Sequence, residues 1–120
     1  MNNANRWARL QADVDLRIRR GAWYRVLRES DLEVILEVND RPVSVLRAVV
    51  EIANRPAPRW TVVTAPEASV KKVPKALGGP YGVCPSCGER AALKKRARRM
   101  PCPACKWEFE IAWDEGYLDR

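Results

Sequence analysis

Four cysteines fall into two like-spaced pairs, Cys84-Pro85-Ser86-Cys87-Gly88 and Cys102-Pro103-Ala104-Cys105-Lys106, with fourteen residues between Cys87 and Cys102. Two residues between paired cysteines let each pair turn both sulfurs, and the nearby backbone N–H groups, toward one ion. Two such knuckles complete a tetrahedral thiolate shell of the kind zinc takes. The connecting loop is one residue under the usual span of roughly 15–20, a tolerable difference. Proline after the first cysteine of each pair stiffens the knuckle, and Gly88 supplies the backbone freedom to leave the first one. Four thiolates leave no open position for water, so the expected ion is single and structural, not catalytic.

Other uses of the cysteines are weaker. Disulfides need an oxidising compartment, and the N-terminus Met-Asn-Asn-Ala-Asn-Arg-Trp lacks the apolar core and cleavage site of a secretory signal, which points to the cytoplasm. A thioredoxin-type redox pair calls for one Cys-x-x-Cys on an α/β scaffold. A rubredoxin-like iron site uses the same four ligands, and the sequence leaves it open beside zinc. The chain has no histidine, which removes Ser-His-Asp, Cys-His and His-metal chemistry. With no cluster of carboxylates, nucleophile and base standing out, the expectation is a protein that is not an enzyme.

The residues around the knuckles must form strands. In Lys106-Trp107-Glu108-Phe109-Glu110-Ile111-Ala112-Trp113, alternation puts Trp107, Phe109, Ile111 and Trp113 on one face and Glu108, Glu110 and Ala112 on the other. Between the knuckles, Ala91, Leu93 and Ala97 are expected to face inward and Lys94, Arg96 and Arg98 outward, as the hairpin partner. Residues 83–114 thus resemble the zinc-ribbon family, and Cys84, Cys87, Cys102 and Cys105 match its four metal-binding positions. The resemblance implies a structural metal and an interaction role, frequently in transcription, translation or nucleic-acid processing.

The 120 residues leave room for one ordinary domain or two very small ones. Composition divides them into residues 1–64, a basic Pro/Gly-rich linker over 65–82, and the cysteine-bearing residues 83–120. In the first segment Trp7, Leu10 and Val14 suggest a short helix over Ala4–Val14. Short β-like runs follow: Leu16–Arg19, Ala22–Leu27, Leu32–Val38, Arg41–Leu46, Val49–Ile52 and Arg59–Thr64. Asn39-Asp40 is placed for a tight hairpin, because both residues tolerate positive φ. Strands of this length and spacing predict a small closed barrel. Over residues 16–64 the pattern resembles Src-homology-3-like or Tudor-like barrels. The expected fold class is therefore mainly β, a small Src-homology-3-like β-barrel plus a C-terminal zinc ribbon. The longest apolar runs are far short of the roughly 20 residues that cross a bilayer, so no membrane is expected.

Twenty-two Lys and Arg against fifteen Asp and Glu give +7, an excess that favours a polyanionic partner such as RNA or DNA. The densest run, residues 90–99, carries six bases and no acid, and Lys94, Lys95, Arg96, Arg98 and Arg99 are candidate phosphate contacts. Cross-strand pairing of Arg96 and Arg98 with Glu108 and Glu110 is an equal alternative. In the first segment Arg19 and Arg20 lie beside Trp23, a combination suited to phosphate contact with base stacking, although such aromatics are more often core. The expectation that follows is a cytoplasmic zinc-binding adaptor for nucleic acid or a nucleoprotein machine, with the ribosome and RNA polymerase as candidates. The alternative is a protein–protein interaction module or an accessory subunit of an enzyme complex.

Overall fold

A computed structural model describes residues 6–12, 14, 16–64 and 80–118. The fold is mainly β: two five-stranded sheets and a single 3-10 turn among the described residues. None of the described helices is long and apolar enough to cross a membrane.

The first sheet contains β1 (Trp7–Leu10), β2 (Tyr24–Glu29), β3 (Glu33–Val38), β4 (Arg41–Leu46) and β5 (Val50–Ala53), in the order β4-β3-β2-β1-β5. All its pairings are antiparallel. The expected hairpin forms, with Asn39 and Asp40 at φ 51° and 63° joining β3 to β4. A register shift between Val26 and Arg28 bends β2, and the sheet curls into a half-barrel. Its inner face buries Ala8, Leu10, Ile18, Val26, Val34, Leu36, Val45 and Val50.

Two expectations for this region are corrected. The helix over Ala4–Val14 is not formed in its described part; Trp7–Leu10 is instead a strand, hydrogen-bonded to β2 on one side and β5 on the other. Strand alternation buries Ala8 and Leu10 in the half-barrel while sending Arg9 to the opposite face, so pairing on both edges overrides the three-and-four spacing that suggested a helix. Leu16–Arg19 is not a strand, because β1 already occupies the place beside β2; only Ile18 of that run reaches the core.

The second sheet contains β6 (Arg59–Val63), β7 (Tyr81–Val83), β8 (Arg90–Ala92), β9 (Arg99–Pro101) and β10 (Glu108–Ile111), in the order β8-β7-β6-β10-β9. The strand expected to complete the barrel is thus the middle strand of the cysteine-bearing sheet, antiparallel to β7 and parallel to β10. It is buried on both faces. Trp60 and Val62 pack with Cys84, Met100, Cys102 and Ile111, while Val63 packs on the other side with Ala22, Tyr81, Val83 and Tyr117. The Trp60 indole N–H donates to the Met100 carbonyl at 2.8 Å, satisfying its one polar atom inside the core. Residues 65–79 of the expected linker lie outside the described residues, and Tyr81 and Gly82 of the same stretch belong to β7.

The sheets meet at Arg9, which is 5% exposed. Its guanidinium lies between the rings of Trp23 and Tyr117, at 4.6 and 4.5 Å from their centroids. It donates to Thr61 Oγ1 at 2.8 Å and pairs with Glu51 at 3.1 Å and Glu115 at 2.6 Å. The Tyr117 hydroxyl accepts from Gly21 N–H and donates to the Leu10 carbonyl. Burial pushes this phenol well above the ordinary tyrosine range, so it stays a neutral donor. Gly21, at φ 85°, lets the backbone pass close to the second sheet; a Cβ there would stand 3.0 Å from Val63 and Val83 side-chain atoms.

Candidate metal centre

Each knuckle links two short strands: Cys84 and Cys87 lie between β7 and β8, Cys102 and Cys105 between β9 and β10. Because β7 and β10 flank β6, the middle strand brings the two knuckles together. Their local geometry is the same. Cys84 N–H donates to Glu89 O at 2.9 Å and Gly88 N–H to Cys84 O at 3.0 Å; Cys102 N–H donates to Trp107 O at 2.8 Å and Lys106 N–H to Cys102 O at 3.0 Å. The residue after the second cysteine is left-handed in both, Gly88 at φ 75° and Lys106 at φ 72°. Backbone N–H groups turn toward sulfur, from Ser86 to Cys84 Sγ and from Ala104 to Cys102 Sγ, each at 3.4 Å.

The four Sγ atoms lie within 4.8 Å of one another, with Cys84 to Cys105 at 3.7 Å and Cys87 to Cys102 at 3.6 Å. A metal–sulfur bond of about 2.3 Å gives a regular tetrahedron with edges of about 3.8 Å. Two of the sulfur–sulfur edges match that length and the others stay within 4.8 Å, close enough for all four to reach one ion, and all four cysteines are free thiols. Cys84 and Cys102 are buried and Cys87 is exposed, so the site sits at the rim of the second core. As a free thiol Cys84 is pushed up to about 12 by burial. At Cys102 burial acts in the same upward direction, but the Cys105 and Ala104 N–H groups, with its sulfur neighbours, bring it down to about 7. Binding a cation must displace protons from this cluster.

No family model, curated protein or solved structure matches this chain. What the cluster supports is the chemistry of its donors: four sulfurs able to hold one thiophilic ion, consistent with a zinc ribbon.

The candidate anion contacts fare unequally. Lys94, Lys95, Arg96, Arg98 and Arg99 are all exposed. The pairing with the strand glutamates differs from the expected one: β9 and β10 set Arg99 opposite Glu110, and Arg99 pairs with Glu108 at 3.3 Å and Glu110 at 3.9 Å. Arg96 and Arg98 precede β9 and fall outside that register. Arg19 is exposed, but its Nη1 donates to Gly88 O at 2.9 Å and so braces the first knuckle. Arg20 is only 4% exposed and is removed from the surface. Trp23 is half-buried, with one face of its ring taken by Arg9.

The inward set Ala91, Leu93 and Ala97 packs on the second core as expected. Of the expected aromatic face, Phe109 and Ile111 pack inward, whereas Trp107 is 67% and Trp113 is 46% exposed and Ala112 is buried. Both tryptophans lie just outside β10, where strict alternation no longer applies. Arg9 gave no sign of itself in the sequence, because nothing in a single arginine between Ala8 and Leu10 marks it as a buried cation.

Proposed function

We propose that this chain is a non-enzymatic binding protein in which Cys84, Cys87, Cys102 and Cys105 hold one structural zinc ion. Its basic turn over residues 94–98 grips nucleic acid, free or within a nucleoprotein machine such as the ribosome or RNA polymerase. Exposed arginines without an ion pair among the described residues also occur singly elsewhere, at Arg17, Arg25, Arg28, Arg41 and Arg55, and the supporting observation is the density of unpaired cations on one turn. Arg6, Arg9, Arg47, Arg59 and Arg99 all pair with carboxylates. The side chains of Lys94, Lys95, Arg96 and Arg98 make no ion pair among the described residues and stand exposed on one turn. That turn is held by Ala97 N–H to Lys94 O at 3.1 Å and Ile111 N–H to Arg98 O at 2.8 Å, so the cations are presented from a fixed backbone. A polyanion supplies the phosphates that such a cluster lacks.

The test has two parts. Elemental analysis of the purified chain is expected to give one zinc; one iron would assign the site to the rubredoxin-like alternative. Fluorescence anisotropy with RNA and DNA across a salt series is expected to show binding that weakens as salt rises. Replacing Lys94, Lys95, Arg96 and Arg98 with glutamine should flatten the log–log slope by about 0.7–0.9 for each phosphate that is no longer neutralised. Unchanged affinity and slope in that variant would overturn the assignment. A second reading, docking of a protein partner, is favoured by the exposed Trp107, which with Pro56, Pro58, Pro85, Ser86 and Phe109 lines a shallow apolar cleft of about 330 Å³. A cleft of this make-up suits an apolar side chain of a partner.

A further inference from the structure

Trp113 stands where the basic turn needs an aromatic surface. It lies two residues past Ile111 of β10, half in solvent, and its indole N–H donates to Ala97 O at 2.7 Å. That bond fixes the ring against the turn carrying the four unpaired cations. Trp113, Lys95 and Arg96 together line a concavity of about 400 Å³. Arg96 holds φ at 61°, a left-handed conformation uncommon for a residue other than glycine. Negative charge nearby is already matched, since Asp114 pairs with Arg59 and Glu115 with Arg9. The concavity thus joins a fixed aromatic face to unopposed positive charge. An apolar protein side chain would leave the charge unanswered, and a duplex would offer phosphates while keeping its bases stacked on one another.

We propose that Trp113, Lys95 and Arg96 form a single-base subsite for single-stranded nucleic acid, in which the indole stacks on one unpaired base and the two cations take the flanking phosphates. The subsite rests on the nucleic-acid reading above and adds to it a strand preference and a residue that senses the base. Stacking on an aromatic face is indifferent to base identity and to the sugar, so RNA and DNA share the required chemistry.

The experiment uses the full zinc-loaded chain and fluorescein-labelled 12-nucleotide probes: single-stranded RNA, the same sequence as DNA, its duplex, and an abasic strand of equal charge. Trp113→Ala is expected to weaken both single strands on the order of tenfold while leaving the abasic strand and the salt slope unchanged. Trp107→Ala, the other exposed tryptophan, should match the wild type. Because Trp113 also tethers Ala97, Trp113→Phe separates folding from stacking. It keeps a ring and should stay within about threefold of wild-type affinity, and the part of the tryptophan quenching owed to Trp113 should vanish. Equal binding of the abasic and normal strands by the wild type, or wild-type affinity in Trp113→Ala, would overturn the subsite while leaving the basic turn standing. If no strand binds the wild type at all, the nucleic-acid reading falls and the subsite with it. A difference in affinity between the RNA and DNA arms assigns the natural strand.

Discussion

The first sheet closes over eight buried apolar side chains carried largely on strands of four to six residues, whereas the second has three strands of only three residues and a core in which two of six buried members are cysteines. Both sheets have five strands, so the number of pairings does not separate them. What separates them is how the buried side chains are arranged: the first sheet gathers them into one apolar cluster, whereas the second divides them between its two faces, with the cysteines on one of these. On the cysteine-bearing face the short strands contribute few side chains, and that core is filled by Trp60, taken from the segment that precedes the knuckles, and by the sulfurs themselves. The half-barrel is thus built around apolar side chains, while the cysteine-bearing face adds to its apolar packing four sulfurs able to hold one ion.

Removing the metal is the harshest way to test that contrast. Structural zinc contributes on the order of 10–16 kcal/mol to small metal domains. Chelation is therefore expected to abolish hydrogen-exchange protection in Tyr81–Val83, Arg90–Ala92, Arg99–Pro101 and Glu108–Ile111 while sparing Glu33–Val38 and Arg41–Leu46. The pH dependence follows from the free thiols. Cys84 without metal holds its proton up to about 12, so the ion competes with protons at neutral pH, and affinity must fall as pH falls. Protection that survives chelation equally in both sheets would erase the contrast.

Paired core truncations sharpen it. Leu36→Ala in the half-barrel should cost about 2–5 kcal/mol and Trp60→Ala about 3–5 kcal/mol, as expected for fully buried side chains. Their effects on metal retention should differ. Trp60 packs in the same cluster as Cys84 and Cys102, so its removal should speed zinc transfer to a chromogenic chelator; Leu36 belongs to the other core and should leave that rate alone. Equal acceleration by both would mean that the two cores unfold as one.

The sequence carried the four-cysteine cluster most clearly, because Cys-x-x-Cys is a local device whose geometry depends on adjacent residues. It carried the Asn39-Asp40 hairpin for the same reason. Features set by partners distant in the chain were hidden. Arg59–Val63 looks like any β-run, and its sheet is set by pairing with Tyr81–Val83 and Glu108–Ile111, both distant in the chain. Trp7, Leu10 and Val14 have helical spacing, yet two neighbouring strands claim Trp7–Leu10. Lysines and arginines counted as one basic surface divide once burial and partners are known: Arg20 goes inside, Arg19 braces a knuckle, Arg99 finds glutamates, and the 94–98 turn stays open.

The smallest effect probes the two knuckles against each other. Both need a left-handed residue after the second cysteine, and the first supplies Gly88 while the second forces Lys106 into that conformation. A left-handed backbone costs a non-glycine residue roughly 1–2 kcal/mol. Gly88→Ala should therefore destabilise the metal-bound form by about 1 kcal/mol through the backbone alone, since the nearest atom to an added Cβ is Ala22 Cβ at an ordinary 3.7 Å. Lys106→Gly should relieve strain, but glycine gains about 0.5–1 kcal/mol of unfolded-state freedom, and the Lys106 Nζ bond to Pro103 O at 2.7 Å disappears. The net gain shrinks to about a few tenths of a kcal/mol. Thermal melts of the zinc-loaded variants measure both, and a destabilisation at Lys106→Gly as large as that at Gly88→Ala would show that the Lys106 side chain, not the turn, holds the second knuckle.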